Sequence, residues 1–214
     1  MVSRVHGMDL TGVRFPAGPQ NMQKRVYIIH GWDGYPEEGW FPWLKKELES
    51  RGFIVTIPLM PGNEEPRINN WVPAIQKIVI NPDEQTYFIG HSMGCQAIIR
   101  YLETLSEDTK IGGVVFIAGF LKSLTNLENE DMVKDVANEW LNTPIKLEKV
   151  KNHLNKSIAI FSDDDPYVPL ENQDEFRNIL NSKIVIEHSK KHFSGSTGTI
   201  ELPIALESII EISK

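Results

Sequence analysis

The sequence predicts one α/β domain in which a parallel sheet of about six strands lies between two layers of helices. From Arg25 onward, short runs rich in β-branched and aromatic residues alternate with helical patterns, which is typical of parallel sheets with helical crossovers. Several of these runs are apolar throughout, as expected for strands that are covered on both faces. The length of 214 residues suits one domain with a well-buried core.

The predicted strands and helices alternate along the chain. The first helix carries Trp40 and Leu44 on one face and ends before Gly52, which favours a helix stop. Another helix begins directly after Ser92 and keeps an apolar stripe as far as Leu105. The six predicted strands span residues 26–30, 53–58, 86–89, 113–118, 157–162 and 183–187. The other predicted helices span residues 68–79, 132–141, 170–180 and 200–212.

The domain boundaries follow from changes in these patterns. Residues 1–24 contain three glycines and two prolines without a sustained period, so we expect a poorly ordered arm or leader before a single domain at residues 25–214. Residues 119–156 form the longest connection between predicted strands and are rich in charge. We interpret this segment as a small cap over a pocket, and a plain crossover with a long loop is the alternative.

The composition excludes several classes of partner. Apolar residues make up 41% of the chain and charged residues 24%, which is typical of folded globular proteins. The net charge of -7 provides no basic surface for nucleic acid or for an anionic membrane, and no apolar run is long enough to span a bilayer. Cys95 is the single cysteine, which excludes an intramolecular disulfide, and we expect the cytoplasm as the compartment.

The run Gly90-His91-Ser92-Met93-Gly94 lies between a predicted strand and a predicted helix. In this G-x-S-x-G pattern the turn is so tight that side chains two positions from the serine would collide with backbone, which explains the glycines. The strained turn also lifts the serine hydroxyl clear of the sheet. We therefore predict that Ser92 is a nucleophile, and a serine in an ordinary turn is the alternative.

A serine nucleophile needs a base, and the base needs an orienting carboxylate, which follows the serine along chains of this kind. The strand predicted at residues 157–162 is followed directly by three aspartates, Asp163, Asp164 and Asp165. Asp165 begins the pattern D-x-x-V-P, which is expected where the acid ends its strand. We choose Asp165, with Asp164 and Asp163 as alternatives, and we expect at least one of the three to be a solvated turn residue.

Two histidines follow the aspartates. His188 ends the strand predicted at residues 183–187, and His192 lies in the loop beyond it. A catalytic imidazole must reach over the edge of the sheet, which a loop position allows. We predict that His192 is the base and that His188 completes the strand, while His6 and His153 are expected to be solvated surface residues.

Two fixed N–H donors are needed where negative charge develops on a carbonyl oxygen. We predict the backbone N–H of Met93, at the start of a helix, and that of Trp32, in the loop after the first strand. Gly31 lets this loop approach the serine closely. The residues predicted to line a substrate pocket are Gly31, Trp32, Tyr35 and His91.

Two further residues have an alternative interpretation. Two interpretations of Trp40 are equally favoured: packing in the core, and a place in the wall of the pocket. Cys95 lies one turn into the helix after Ser92, where a reactive thiolate is one possibility, but burial as a small apolar side chain is the favoured one. No histidine pair stands at i, i+4 in a helical pattern and H-E-x-x-H is absent, so we expect no metal.

These motifs resemble the α/β-hydrolase superfamily through HGW, GHSMG, DPYVP and the later HF. The chain is more closely similar to the compact serine hydrolases of the retinoblastoma-binding protein 9 family, also called YdeN-like. The shared stretches, which extend from Met22 almost to the C-terminus, are GWFPWLKKELE, PLMP, NNWVPAI, GHSMG, DDPYVP and KHF. This resemblance implies a three-layer α/β-hydrolase fold without two leading strands. It also places the family's nucleophile, acid and base on Ser92, Asp165 and His192.

The expected function is a serine hydrolase that cleaves a small carboxylic ester through an acyl-enzyme, with an amide as the second choice and no metal or organic cofactor. The motif L-x-C-x-E is absent, because Met93 and Ala97 flank Cys95, so retinoblastoma-type binding is not expected. A non-catalytic ligand-binding homologue and an acyltransferase are the alternatives. Substrate choice on this fold depends on the shape of the loops and the cap.

Overall fold

A parallel sheet of six strands forms the centre of this computed structural model, which describes residues 23–214. The strands are β1 (Arg25–Ile29), β2 (Ile54–Thr56), β3 (Thr86–His91), β4 (Gly113–Ile117), β5 (Ser157–Ser162) and β6 (Lys183–Glu187). Their order in the sheet is β2-β1-β3-β4-β5-β6, and every neighbouring pair is parallel. The loops that follow the strands therefore meet at one edge of the sheet. The predicted arm at residues 1–24 lies outside the described residues except for its last two.

Seven α-helices in the described part of the chain connect the strands and cover both faces of the sheet. They are α1 (Phe41–Glu49), α2 (Ile68–Ile78), α3 (Met93–Glu103), α4 (Asp131–Asn142), α5 (Leu147–His153), α6 (Gln173–Asn178) and α7 (Pro203–Ile212). Helices α1 and α7 pack on one face, and α2 to α6 contribute to the core on the other. None of these helices has the length and apolar character that a membrane crossing requires.

Successive residues of the central strands face opposite layers. In β4, Val114 and Phe116 pack towards α2 and α3, whereas Val115 and Ile117 pack towards α1 and α7. Every residue of β3, β4 and β5 is buried. This coverage on both sides explains why these strands are apolar throughout rather than alternating, and the three-layer fold predicted from the sequence is confirmed.

Two segments differ from the prediction. Residues 170–180 form a short 3-10 turn followed by α6 instead of one helix. The sequence pattern does not predict α5, because its seven residues contain only Leu147 and Val150 as apolar positions, too few to show a period. The interpretation of His153 as a solvated residue is wrong, because this last residue of α5 is fully buried and its Nδ1 bonds to the carbonyl oxygen of Thr109 at 2.8 Å.

The segment at residues 119–156 contains α4 and α5, and α5 packs beside α3 while α4 is attached to α2 through Trp140. Trp140 packs edge-on against Trp71 of α2, with ring centres 6.0 Å apart. Its Nε1–H donates to the carbonyl oxygen of Pro66 at 2.8 Å. These contacts hold α4 beside α2, and a role of the segment as a cap over the substrate stays a prediction.

Replacing Trp140 with Phe should lower the free energy of unfolding by about 1–3 kcal/mol, because the buried carbonyl oxygen of Pro66 loses its donor. Equilibrium unfolding in urea measures the change. Trp43→Phe is the control, since Trp43 is only half-buried and its indole N–H has no acceptor within residues 23–214. Equal destabilisation by the two variants would contradict the anchoring role of Trp140.

Candidate active site

Ser92 occupies the sharp turn between β3 and α3. Its backbone has φ 51° and ψ -118°, a conformation that costs a residue with a side chain about 1–3 kcal/mol. A Cβ at Gly94 would lie 2.6 Å from the carbonyl oxygen of His30, and a Cβ at Gly90 would lie 2.8 Å from the Cα of Cys95. Close backbone contacts therefore require both glycines of the turn, for the reason that the G-x-S-x-G pattern predicts.

The loop after β1 runs directly against this turn. A Cβ at Gly31 would lie 3.1 Å from the Cβ of Ser92 and 3.3 Å from Nδ1 of His91, which leaves little room for any other residue. The backbone N–H groups of Met93 and Trp32 have no acceptor among residues 23–214. These two N–H groups thus lie on either side of the place where Gly31 approaches Ser92.

His30 ties this loop to the segment after β2. The N–H of Met60 donates to Nε2 of His30 at 2.9 Å, so Nδ1 carries the proton and donates to the carbonyl oxygen of Gly31 at 2.7 Å. Burial lowers the pKa of His30, which keeps the ring neutral. The motif HGW points to the glycine, but no sequence signal indicates that the histidine holds the loop.

Asp165 and His192 are in direct contact. Nδ1–H of His192 donates to the two carboxylate oxygens at 2.9 and 3.1 Å, and the Asp165 side chain is only 2% exposed. The carboxylate also accepts the N–H groups of Tyr167 and Val168, at 2.9 and 3.1 Å. These bonds give the D-x-x-V-P pattern a physical reason, because they orient the carboxylate. Nε2 of His192 remains available to accept a proton.

His91 lies under residues 188–193, which we call the histidine loop. Its Nε2–H donates to the carbonyl oxygen of His192 at 2.7 Å, and the two ring centres are 5.0 Å apart. Burial, followed by the charge of His192, lowers the pKa of His91 to about 3. Because the side chain is almost fully buried, His91 supports the histidine loop and offers little surface to a substrate.

Ser92 directly follows His91 and so lies one residue from the contact between His91 and His192. Its hydroxyl forms no hydrogen bond with another group in the part of the chain that the structure describes. Contacts between a nucleophile and its base are often long before substrate binds and shorten in the complex. The structure thus joins Asp165 to His192, and Ser92 directly follows His91, the residue whose ring contacts His192.

Trp40 contacts the histidine loop from the start of α1, and Glu38 lies next to Gly195, just beyond the loop. Nε1–H of Trp40 donates to the carbonyl oxygen of Phe193 at 2.9 Å, so Trp40 is a core residue rather than a pocket wall. Burial raises the pKa of Glu38, while the N–H of Gly195 and the charge of His192 act in the opposite direction. A second carboxylate therefore lies near His192, and no sequence pattern indicates it.

The other two aspartates of the run also bind the histidine loop. Asp163 accepts Nδ1–H of His188 at 2.6 Å, and Asp164 accepts the N–H of Lys191 at 2.7 Å. Both aspartates are exposed, as expected of a solvated turn, yet each has a defined partner. His188 follows β6 directly, as predicted, and its side chain is 83% exposed.

The aromatic residues predicted for the pocket differ in exposure. Trp32 is half-buried and donates its Nε1–H to the carbonyl oxygen of Glu64 at 2.9 Å, whereas Tyr35 is 49% exposed. Tyr167, which the sequence does not single out, lies edge-on to His192 with ring centres 5.2 Å apart. Exposed and half-buried aromatic surface is therefore present on both loops that flank the serine and histidine.

Cys95 is fully buried, and burial raises the pKa of its thiol, which agrees with the predicted role as a small apolar side chain. Over residues 23–214, no three His, Cys, Asp or Glu side chains come together as a group that could hold a metal ion.

A strained serine after a central parallel strand, followed along the chain by a contacting aspartate and histidine, is the arrangement of the α/β hydrolases. The family model described as serine hydrolase matches residues 26–210. The chain belongs to the serine hydrolase family. This match and the relatives described next confirm the resemblance to the retinoblastoma-binding protein 9 and YdeN-like hydrolases, together with the α/β-hydrolase fold.

Several known proteins are similar to this chain in sequence or fold. It is 32% identical to the hydrolase YdeN of Bacillus subtilis (strain 168), over 87% of this chain and 94% of that protein. It is 30% identical to the serine hydrolase RBBP9 of Rattus norvegicus, over 74% and 80% of the two chains. The crystal structure of YdeN matches with a TM-score of 0.81 at 29% sequence identity, and the match covers 89% of this chain and 98% of that one. Est1E from Butyrivibrio proteoclasticus, solved with ferulic acid bound, matches with a TM-score of 0.63 at 15% sequence identity. The match covers 88% of this chain and 91% of that one, and it shows a likeness of fold alone.

Acid should destabilise the folded protein through His91. Below the ordinary histidine pKa of about 6.5, the unfolded chain binds a proton that the folded chain excludes, so the free energy of unfolding falls by up to about 1.4 kcal/mol per pH unit. Between about pH 7 and about pH 5, urea unfolding should reveal a loss of about 2 kcal/mol from this residue. In His91→Gln the loss of unfolding free energy between these two pH values should be smaller by this amount. Some loss should remain, because the buried His30 contributes in the same direction.

His188→Gln is the control for this experiment. Asp163 raises the pKa of His188 by a hydrogen bond, so protonation of this histidine favours the folded state and cannot cause a loss in acid. The control variant should show an acid-dependent loss at least as large as that of the wild-type protein. An identical pH dependence in His91→Gln and the wild-type protein would show that His91 is not buried in its neutral form.

Proposed function

We propose that this serine hydrolase cleaves a small carboxylic ester through an acyl-enzyme on Ser92, with His192 as general base and Asp165 as its partner. The contact between Asp165 and His192 beside the strained serine is the observation that carries the proposal. Because Nδ1–H is bound to the carboxylate, Nε2 presents its lone pair to a hydroxyl proton. An amide remains the second substrate class.

In the proposed reaction, Oγ of Ser92 attacks the carbonyl carbon while its proton passes to Nε2 of His192. The bond to the alkoxy group then breaks, and the alcohol leaves with that proton. In the second half, His192 takes a proton from water, the water oxygen attacks the acyl carbon, and the serine oxygen leaves with the proton, which releases the acid. Asp165 stays ionised and stabilises the imidazolium in both halves.

The oxygen that becomes negative in each half needs two donors. The N–H groups of Met93 and Trp32 suit this role, because neither has an acceptor within residues 23–214 and because Gly31 brings their loops together at Ser92. Met93 is also the first residue of α3, where the helix dipole favours negative charge. His30 supports the arrangement by holding the carbonyl group of Gly31.

The charges around the site favour an ester without a negative charge. Asp33 directly follows Trp32, and its pKa is raised by burial and by the nearby charges of Glu64 and Glu128. Glu38 adds a further carboxylate near His192. An anionic acyl or alcohol group would be repelled by these carboxylates, so we expect neutral acyl esters to be the substrate class.

Ser92→Ala and His192→Ala should each lower kcat on an activated neutral ester by about 10⁴-fold or more, because nucleophile and base act as a unit. A fluorophosphonate probe should label the wild-type protein at Ser92 and should not label Ser92→Ala. His188→Ala is the matched control, an exposed histidine of the same loop, and should retain most of the activity.

Each other outcome of this experiment identifies a different function. Labelling at another serine would contradict the assignment of the nucleophile. No labelling at all would favour a non-catalytic ligand-binding homologue. Labelling at Ser92 with turnover only when an alcohol or amine acceptor is added would favour an acyltransferase. Circular dichroism of every variant establishes that a loss of activity is not a loss of fold.

Substrate charge should affect the rate. The hemisuccinate ester of a phenol should give a kcat/KM about tenfold lower than the butyrate ester of the same phenol, because its free carboxylate meets the acidic side chains. Added salt should bring the kcat/KM values of the two esters closer together, because it screens the repulsion. Asp33→Asn should have the same effect at low salt. Equal kcat/KM values for the two esters would contradict the proposed preference for neutral substrates.

A further inference from the structure

The histidine loop has an unusual backbone. Ser189, Lys191 and Phe193 all have positive φ, at 56°, 49° and 54°, and none of them is glycine. Each such residue costs about 1–3 kcal/mol and persists only where its surroundings hold it. The backbone conformation on either side of His192 therefore depends on contacts from outside the loop.

Asp164 provides such a contact at the residue before His192. Its Oδ1 accepts the N–H of Lys191 at 2.7 Å and the hydroxyl proton of Ser162 at 2.7 Å. The hydroxyl oxygen of Ser162 in turn accepts the N–H of Lys190 at 3.0 Å. Ser162 is the last residue of β5 and is buried, so this short network joins the histidine loop to a rigid strand.

We propose that Asp164 is a positioning residue that holds His192 in register with Asp165. Two successive aspartates bind two successive residues of the loop, since Asp164 binds the backbone of Lys191 and Asp165 binds the ring of His192. Without the first contact, Lys191 would be free to return to a negative φ, which would turn the residue that follows it. This inference rests on the proposed function, in which His192 is the base.

The role requires an acceptor oxygen and not a negative charge, because both donors to Asp164 are neutral. The hydroxyl of Ser162, followed by the N–H of Lys191, holds the pKa of Asp164 below its usual range, although the charge of Asp163 opposes this. Asn offers an oxygen at the same position and can accept the same two bonds. Ala offers none, so the two substitutions separate positioning from charge.

In Asp164→Ala, kcat on the activated neutral ester should fall by about 10–100-fold with KM within about twofold, because a displacement of the base by about 1 Å has an effect of this order. Asp164→Asn should keep kcat within about threefold of the wild-type value. Ser162→Ala should reduce kcat less than Asp164→Ala, because the bond from Asp164 to Lys191 remains.

Asp83→Ala is the matched control. Asp83 is an exposed aspartate that accepts the backbone N–H of Gln85 at 2.8 Å, but it lies before β3, at the opposite edge of the sheet from the active site. This variant should keep wild-type kcat. A loss of kcat in Asp83→Ala equal to that in Asp164→Ala would assign the effect to general destabilisation and would overturn the proposal.

Proton NMR tests the position of His192 without turnover. A proton shared between Nδ1 of His192 and the Asp165 carboxylate should give a resonance far downfield, which His192→Ala removes. Asp164→Ala should weaken or abolish this resonance, whereas Asp164→Asn and Asp83→Ala should retain it. If the wild-type protein hydrolyses no ester, the proposed function fails, but the resonance still decides whether Asp164 positions His192.

Two further results would overturn the proposal. The first is wild-type kcat in Asp164→Ala together with an unchanged resonance. The second is an equal loss in Asp164→Ala and Asp164→Asn, because the charge and not the acceptor oxygen would then be responsible.

Discussion

The backbone contact between the end of β1 and the start of α3 constrains the whole active site. Gly94 lies so close to the carbonyl oxygens of Ile29 and His30 that no side chain fits between them, and Gly31 leaves little room for a side chain beside Ser92. Since β1 and β3 are neighbours in the sheet, this contact brings together the serine and the N–H groups of Trp32 and Met93, which have no acceptor in the described part of the chain. A larger residue at either glycine would separate the nucleophile from the donors.

The histidine loop is positioned in a different way, because β6 is an edge strand whose residues are exposed or half-buried. Packing alone cannot fix a loop at such an edge. Hydrogen bonds take the place of packing here. Asp164 and Asp165 bind the loop from the turn after β5. His91 binds it from β3, and Trp40 binds it from the start of α1. The base of the proposed reaction is therefore held by polar contacts on several sides, which compensate for the strain of the loop backbone.

Much of the fold is predictable because its signals are local. The apolar strands β3, β4 and β5 are covered on both faces, and β5 and β6 begin and end where the sequence predicts. The sequence fails at α5 and at His153, where the helix is short and its contacts are distant in the chain. The histidine is buried because α5 packs beside the Thr109 carbonyl, 44 residues away, which no local pattern reveals.

The sequence by itself determined the α/β class and the serine turn with its glycines, because each of these depends on residues close together in the chain. It also favoured Asp165, through the local pattern D-x-x-V-P, and His192, through its place in a loop, although the two residues lie 27 positions apart. Only the tertiary structure decided how His30, Glu38, Ser162 and Asp164 contribute. His30 bonds to Met60, 30 residues away, and Asp164 bonds to Lys191, 27 residues away. Such contacts depend on the order of the strands in the sheet and on the paths of the loops between them. A histidine, a serine or an aspartate has the same local pattern whether it holds an active-site loop or faces solvent, so its role follows from which backbone groups the folded chain brings within hydrogen-bonding distance.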